Sequence, residues 1–188
     1  MKKLALALVF CGASACASTV NYTTAIYFNG DTTITSLTAG TASITVSDIT
    51  AGSVSAPSGI SLGNLTSSAT TATGGAFVGD TVDILVTQTS PSNGNQLLTS
   101  LLAGTITSTS NGIQLTFSPT VFTLGTSPNT ASYTLGAAGS YTLVAPGTNG
   151  GVTSIQATVT TAPEPTSLAL LGSSLLGFGL IARRRFAK

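Results

Sequence analysis

The chain has 188 residues, and only 6% of them are charged, against about 25% in an ordinary globular domain. Every cation lies at an end: Lys2 and Lys3 at one, Arg183, Arg184, Arg185 and Lys188 at the other. Asp31, Asp48, Asp80, Asp83 and Glu164 are the only acids. A nucleic-acid ligand needs Lys and Arg to displace counterions from phosphate, so residues 4–182 exclude that class of partner, and a chain without His cannot assemble the usual pairings of nucleophile and base.

In chain order, Lys2 and Lys3 precede the apolar string LALALVF and then the small residues Gly12-Ala13-Ser14-Ala15-Cys16-Ala17. A basic start, a short apolar run and an A-x-A site are the layout of a secretory signal peptide, and the run is too short to span a bilayer, which takes about 20 residues. Cleavage fits after Ala15 or after Ala17. Cleavage after Ala17 removes both cysteines, Cys11 and Cys16, and leaves a mature chain without disulfides. Cleavage before Cys16 exposes a Cys for lipidation, but the string lacks the Leu usual three residues earlier.

More than a third of residues 18–162 are Ser or Thr, yet the apolar residues among them are ordered. Ala42, Ile44 and Val46 alternate with polar neighbours, as do Val82, Ile84 and Val86, then Ile113, Leu115 and Phe117, then Ile155, Ala157 and Val159. Period two predicts strands with one buried and one wet face. Between these runs stand turn-formers: Asn29-Gly30-Asp31, Pro57-Ser58-Gly59, Pro91-Ser92-Asn93-Gly94, Asn111-Gly112, Pro146-Gly147 and Asn149-Gly150-Gly151. The spacing predicts an all-β fold, an antiparallel β-sandwich or barrel-like ectodomain over residues 18–162. Leu97 to Ala103 is expected as strand or loop rather than helix. Ser132-Tyr133-Thr134-Leu135 recurs as Ser140-Tyr141-Thr142-Leu143 around Gly136-Ala137-Ala138-Gly139, which predicts a hairpin.

The one catalytic option is a carboxylate pair, Asp80 and Asp83, which need not converge from a strand beginning near Thr81. The same oxygens, with Asn29-Gly30-Asp31, suit calcium, but no D-x-D-x-D-G loop is present, and Asp and Asn capping turns is the expected role. Hence no catalytic residue, no metal ligand and no cofactor are assigned, and the protein is expected not to be an enzyme. Outward Thr rows are read as solvated sheet faces, and the triplets Asn21-Tyr22-Thr23 and Asn64-Leu65-Thr66 as chance matches to glycosylation sequons.

The tail begins at Pro163-Glu164-Pro165, whose prolines keep the tripeptide out of both strand and helix. A charge-free run over residues 166–182 follows, about 25 Å long as a helix against a hydrocarbon core of about 30 Å. It predicts one transmembrane helix with a small face at Ala169, Ser173 and Gly177, and Arg183, Arg184 and Arg185 as a cytoplasmic stop-transfer lock. Pro163 to Gly172, the Gly-rich run and the three arginines resemble the PEP-CTERM sorting signal of Gram-negative bacteria.

The resemblance implies recognition of Pro163, Glu164 and Pro165 by an exosortase, an integral-membrane cysteine transpeptidase-like enzyme, then cleavage and passage to the cell surface or an extracellular polysaccharide matrix. The expected organisation is a signal peptide at 1–17, an ectodomain at 18–162 and a sorting signal at 163–188. The partners expected with it are exosortase, signal peptidase, the Sec translocon and the inner membrane, with exopolysaccharide as a further candidate and no nucleic acid. The function expected is that of a non-enzymatic exported surface or matrix protein; the alternative is an unprocessed single-pass anchored domain acting as an adhesin or carbohydrate-binding module.

Overall fold

Alternating Thr and Val or Ile becomes strand wherever one parity can be buried, and the computed structural model contains twelve such strands among its described residues, 18–162, 171, 172, 174, 175 and 177–179. They are β1 (Thr19–Phe28), β2 (Ser36–Ala39), β3 (Ala42–Ser47), β4 (Gly52–Ser55), β5 (Ser58–Ala69), β6 (Gly75–Ser90), β7 (Gly94–Ile106), β8 (Gln114–Thr116), β9 (Val121–Thr126), β10 (Asn129–Leu135), β11 (Ser140–Thr142) and β12 (Val152–Thr161). One sheet has the order β4-β1-β6-β7, a second β2-β3-β5-β12-β10-β9, and β11 pairs with β8. Every pairing is antiparallel. Ala17–Ala162 form one compact unit; Met1–Cys16 and Pro163–Lys188 belong to a second.

All three sheets bury their apolar parity in one core. Val82, Ile84, Val86 and Leu98 enter it from the four-stranded sheet, Leu62, Leu65, Ile155 and Val159 from the six-stranded one, and Leu115 from the small one, each fully buried. Such side chains contribute about 1.5–3 kcal/mol each by leaving water. The four alternating runs named above supply much of this core, and Leu97 to Ala103 lies within β7.

Two bulges keep the parity correct along the longest strands. In β6, Phe77 faces inward and so do Val82, Ile84 and Val86, although 77 and 82 have opposite parity. The register against β7 jumps between Val78 and Asp80, leaving Gly79 as the extra residue at φ +86°, a left-handed value that a Cβ disfavours. In β5 the register against β12 passes from Gly63 to Ser61, and a Cβ on Gly63 would lie 2.4 Å from Ile26 Cδ1.

The expected 132–143 hairpin does not form. β10 carries β9 on one edge and β12 on the other, so no edge remains for β11, which pairs with β8 instead. Ala137 and Ala138, at φ 49° and 51°, turn the chain between the two sheets. The outer edge of β1 is closed by a loop: Ile26 N–H donates to Asp48 Oδ1 at 2.7 Å, and Thr24 N–H to the Ile49 carbonyl at 2.9 Å.

In the second unit, Leu171, Gly172, Ser174, Leu175, Gly177, Phe178 and Gly179 are helical. Among the described residues no helix is long and apolar enough to cross a membrane. The expected signal peptide at 1–17, both cysteines and most of the expected 166–182 span, including Ala169 and Ser173, lie outside the described residues.

Candidate functional site

Asp83 sits on the outward parity of β6 yet is buried, because the Asn29–Gly30 turn closes over it. Its Oδ2 accepts from Gly30 N–H (2.9 Å) and Thr81 Oγ1 (3.3 Å), and its Oδ1 from Thr99 Oγ1 (2.7 Å). The bulge at Gly79 brings Asp80 beside the same turn: Asn29 Nδ2 donates to Asp80 Oδ1 at 3.0 Å, and Thr81 N–H to Asn29 Oδ1 at 2.8 Å. Asp31 accepts from the Thr33 N–H (2.9 Å) and hydroxyl (2.7 Å). Those bonds, backbone first, lower the Asp31 pKa. Asp80 and Asp83 thus share a turn: three donors fall on the Asp83 carboxylate and one on Asp80 Oδ1, and the bonds from Asn29 and Gly30 hold that turn to β6. The role is the turn-capping one expected of these residues.

A second polar cluster was not read from the sequence. Gln88 continues the inward parity of Val82, Ile84 and Val86, so a polar side chain in an apolar position was the available signal. Tyr133 Oη donates to Gln88 Oε1 (2.8 Å), Gln88 Nε2 to the Ser92 carbonyl (2.7 Å), and Ser92 Oγ to the Asn129 carbonyl (2.7 Å). This chain ties the β6–β7 turn to the β9–β10 turn. Burial, with Tyr22 nearby as a second cause, raises the Tyr133 phenol far above the ordinary tyrosine range. Burial also raises Tyr22, and burial together with the Asp83 charge raises Tyr27.

Two surface features remain. An open cleft of about 420 Å³ is lined by Gly59, Ser61, Gly136, Gln156 and Thr158 over Ile60 and Ala157, and no ionisable group lines it. Its chemistry is neutral hydrogen bonding. On β6 and β7, Val78, Leu97 and Leu101 are exposed.

The C-terminal end of the fold is the third place where function is expected. Thr161 pairs with Ala131, and Ala162 N–H donates to the Thr130 carbonyl at 3.3 Å, so the fold runs to the residue before Pro163. Pro163, Glu164, Pro165, Arg183, Arg184 and Arg185 lie outside the described residues.

Fold and chain end together define an antiparallel β protein whose last strand passes directly into a C-terminal segment. That segment is identified by comparison: the PEP-CTERM protein-sorting motif matches residues 161–185. The chain carries this sorting motif, and both the Pro-Glu-Pro tripeptide and the three arginines fall inside the match. No curated protein and no solved structure matches the chain. The motif marks an exported, exosortase-directed protein.

Proposed function

We propose that this is a non-enzymatic surface or matrix protein of a Gram-negative bacterium, delivered through the Sec translocon, trimmed by signal peptidase and released from the inner membrane by an exosortase. In this account residues 18–162 are a β-sandwich ectodomain, 166–182 a transmembrane helix, and Arg183 to Arg185 its cytoplasmic lock. Pro163, Glu164 and Pro165 are the recognition element. The observation that carries the proposal is the sorting-motif match at 161–185. The confinement of all cations to residues 2–3 and 183–188 supports it, because positive charge stays cytoplasmic and the interior carries none to oppose translocation.

A non-enzymatic role is supported by Asp83, which is buried and whose two carboxylate oxygens accept three hydrogen bonds within the fold. The neutral cleft over β5 and β12 suits an uncharged polyhydroxyl ligand such as exopolysaccharide. Glu164→Ala tests the central assignment. In cells with the enzyme, the variant should accumulate in the membrane fraction while the parent reaches the surface. Equal surface delivery of both would reject recognition through Glu164 and favour a plain anchor.

A further inference from the structure

The fold and the sorting motif share residues. The motif match opens at Thr161, the last residue of β12. β12 pairs with β5 from Val152 to Val159 and with β10 from Ala157 to Thr161, so it has a partner on each side only from Ala157 to Val159, where its pairing with β5 stops opposite Ser58. Beyond that point only β10 holds it: Thr160 pairs with Ser132, Thr161 with Ala131, and Ala162 N–H reaches the Thr130 carbonyl at 3.3 Å. The recognition tripeptide follows with no spacer. An enzyme that engages Pro163-Glu164-Pro165 as extended chain also needs free backbone before it, and here that backbone is sheet.

We propose that release of residues 160–162 from β10 controls access of the processing enzyme to the tripeptide, making the end of β12 a built-in brake on sorting. This rests on the sorting function proposed above. One-sided pairing suits the role, since strand ends that frustrate no second neighbour open at low free energy. The exposed residues beside the strand end, Ser127, Pro128 and Asn129, are uncharged.

The test follows processing of the full chain by pulse-chase in cells with and without the enzyme. One variant inserts eight Gly/Ser residues between Ala162 and Pro163. A second carries Ala131→Cys with Thr161→Cys to cross-link the strand end in the oxidising compartment, and a third combines the two. The insertion should speed processing roughly 5- to 30-fold, the factor that one or two net backbone hydrogen bonds are worth. The cross-link should slow it until a reductant is added, and should have no effect when the insertion is present. If the parent is processed and neither insertion nor cross-link changes its rate, the brake is refuted and the sorting function stands. If the parent is never processed in cells holding the enzyme, the sorting function falls and the brake with it.

Discussion

Tyr133→Phe removes a single oxygen from the middle of the core. The lost hydroxyl donates to Gln88 Oε1 at 2.8 Å, and Gln88 is fully buried. The Gln88 amide cannot swing toward water, because its Nε2 remains tied to the Ser92 carbonyl at 2.7 Å, so Oε1 is left without a donor. An orphaned buried acceptor costs about 1–3 kcal/mol. The ring itself is kept, and so is its stack on Phe122, with centroids 5.0 Å apart and planes 2° from parallel. The expected loss is about 2 kcal/mol, roughly 5–8 °C in Tm for a domain of this size.

Far-UV circular dichroism of residues 18–162 under urea measures it. Gln88→Leu should cost a similar amount, and the double variant less than the sum by about 1 kcal/mol, since both partners then leave together. A Tyr133→Phe variant within 0.3 kcal/mol of the parent would refute the claim that this network pins the two turns.

The remaining predictions use the same fragment. Asp83→Asn turns an acceptor of three hydrogen bonds into a group with one acceptor oxygen, and should cost about 1.5–3 kcal/mol by urea denaturation; Asp80→Asn, on one exposed partner, should cost less. Gly79→Ala should destabilise by about 1–3 kcal/mol although nothing lies within 4 Å of its Cβ position, because φ is +86°; Gly59→Ala, equally open and without a positive φ, should not. Residues 18–162 hold no His, Cys, Lys or Arg, so thermal stability should stay flat from about pH 5.5 to 9. Tyr22, Tyr27 and Tyr133 have raised values in the fold, so their contribution is complete below the unfolded value of about 10 and is lost as pH climbs above it. Thr33→Val should let the Asp31 pKa rise part of the way back in an NMR titration, the backbone bond remaining.

Much of the fold was legible because burial parity is written locally. Ile113, Leu115 and Phe117, or Ile155, Ala157 and Val159, announce a strand and its inner face without knowledge of any partner. Partner choice is a non-local competition, and there the local signal failed. The Tyr133 and Tyr141 repeats looked like two arms of a hairpin, but β10 is claimed on both edges by strands distant in sequence. The Asn29-Gly30-Asp31 turn was visible as a turn, whereas its closure by Asp80 and Asp83 depended on a bulge that only pairing with β7 creates. Gln88 was a missed clue of a different kind. Its inward parity was readable, but its partner Tyr133 lies on another sheet.

The sorting segment was legible for the opposite reason: a recognition tripeptide, an apolar run and a basic cluster are linear features, and the match at 161–185 needs no fold. The most direct test of the account is the mass of the protein's C-terminus. In cells containing an exosortase, the surface-associated protein should end upstream of the arginines, whereas cells lacking the enzyme should retain a chain that runs through Lys188. A chain ending at Lys188 in both would contradict it.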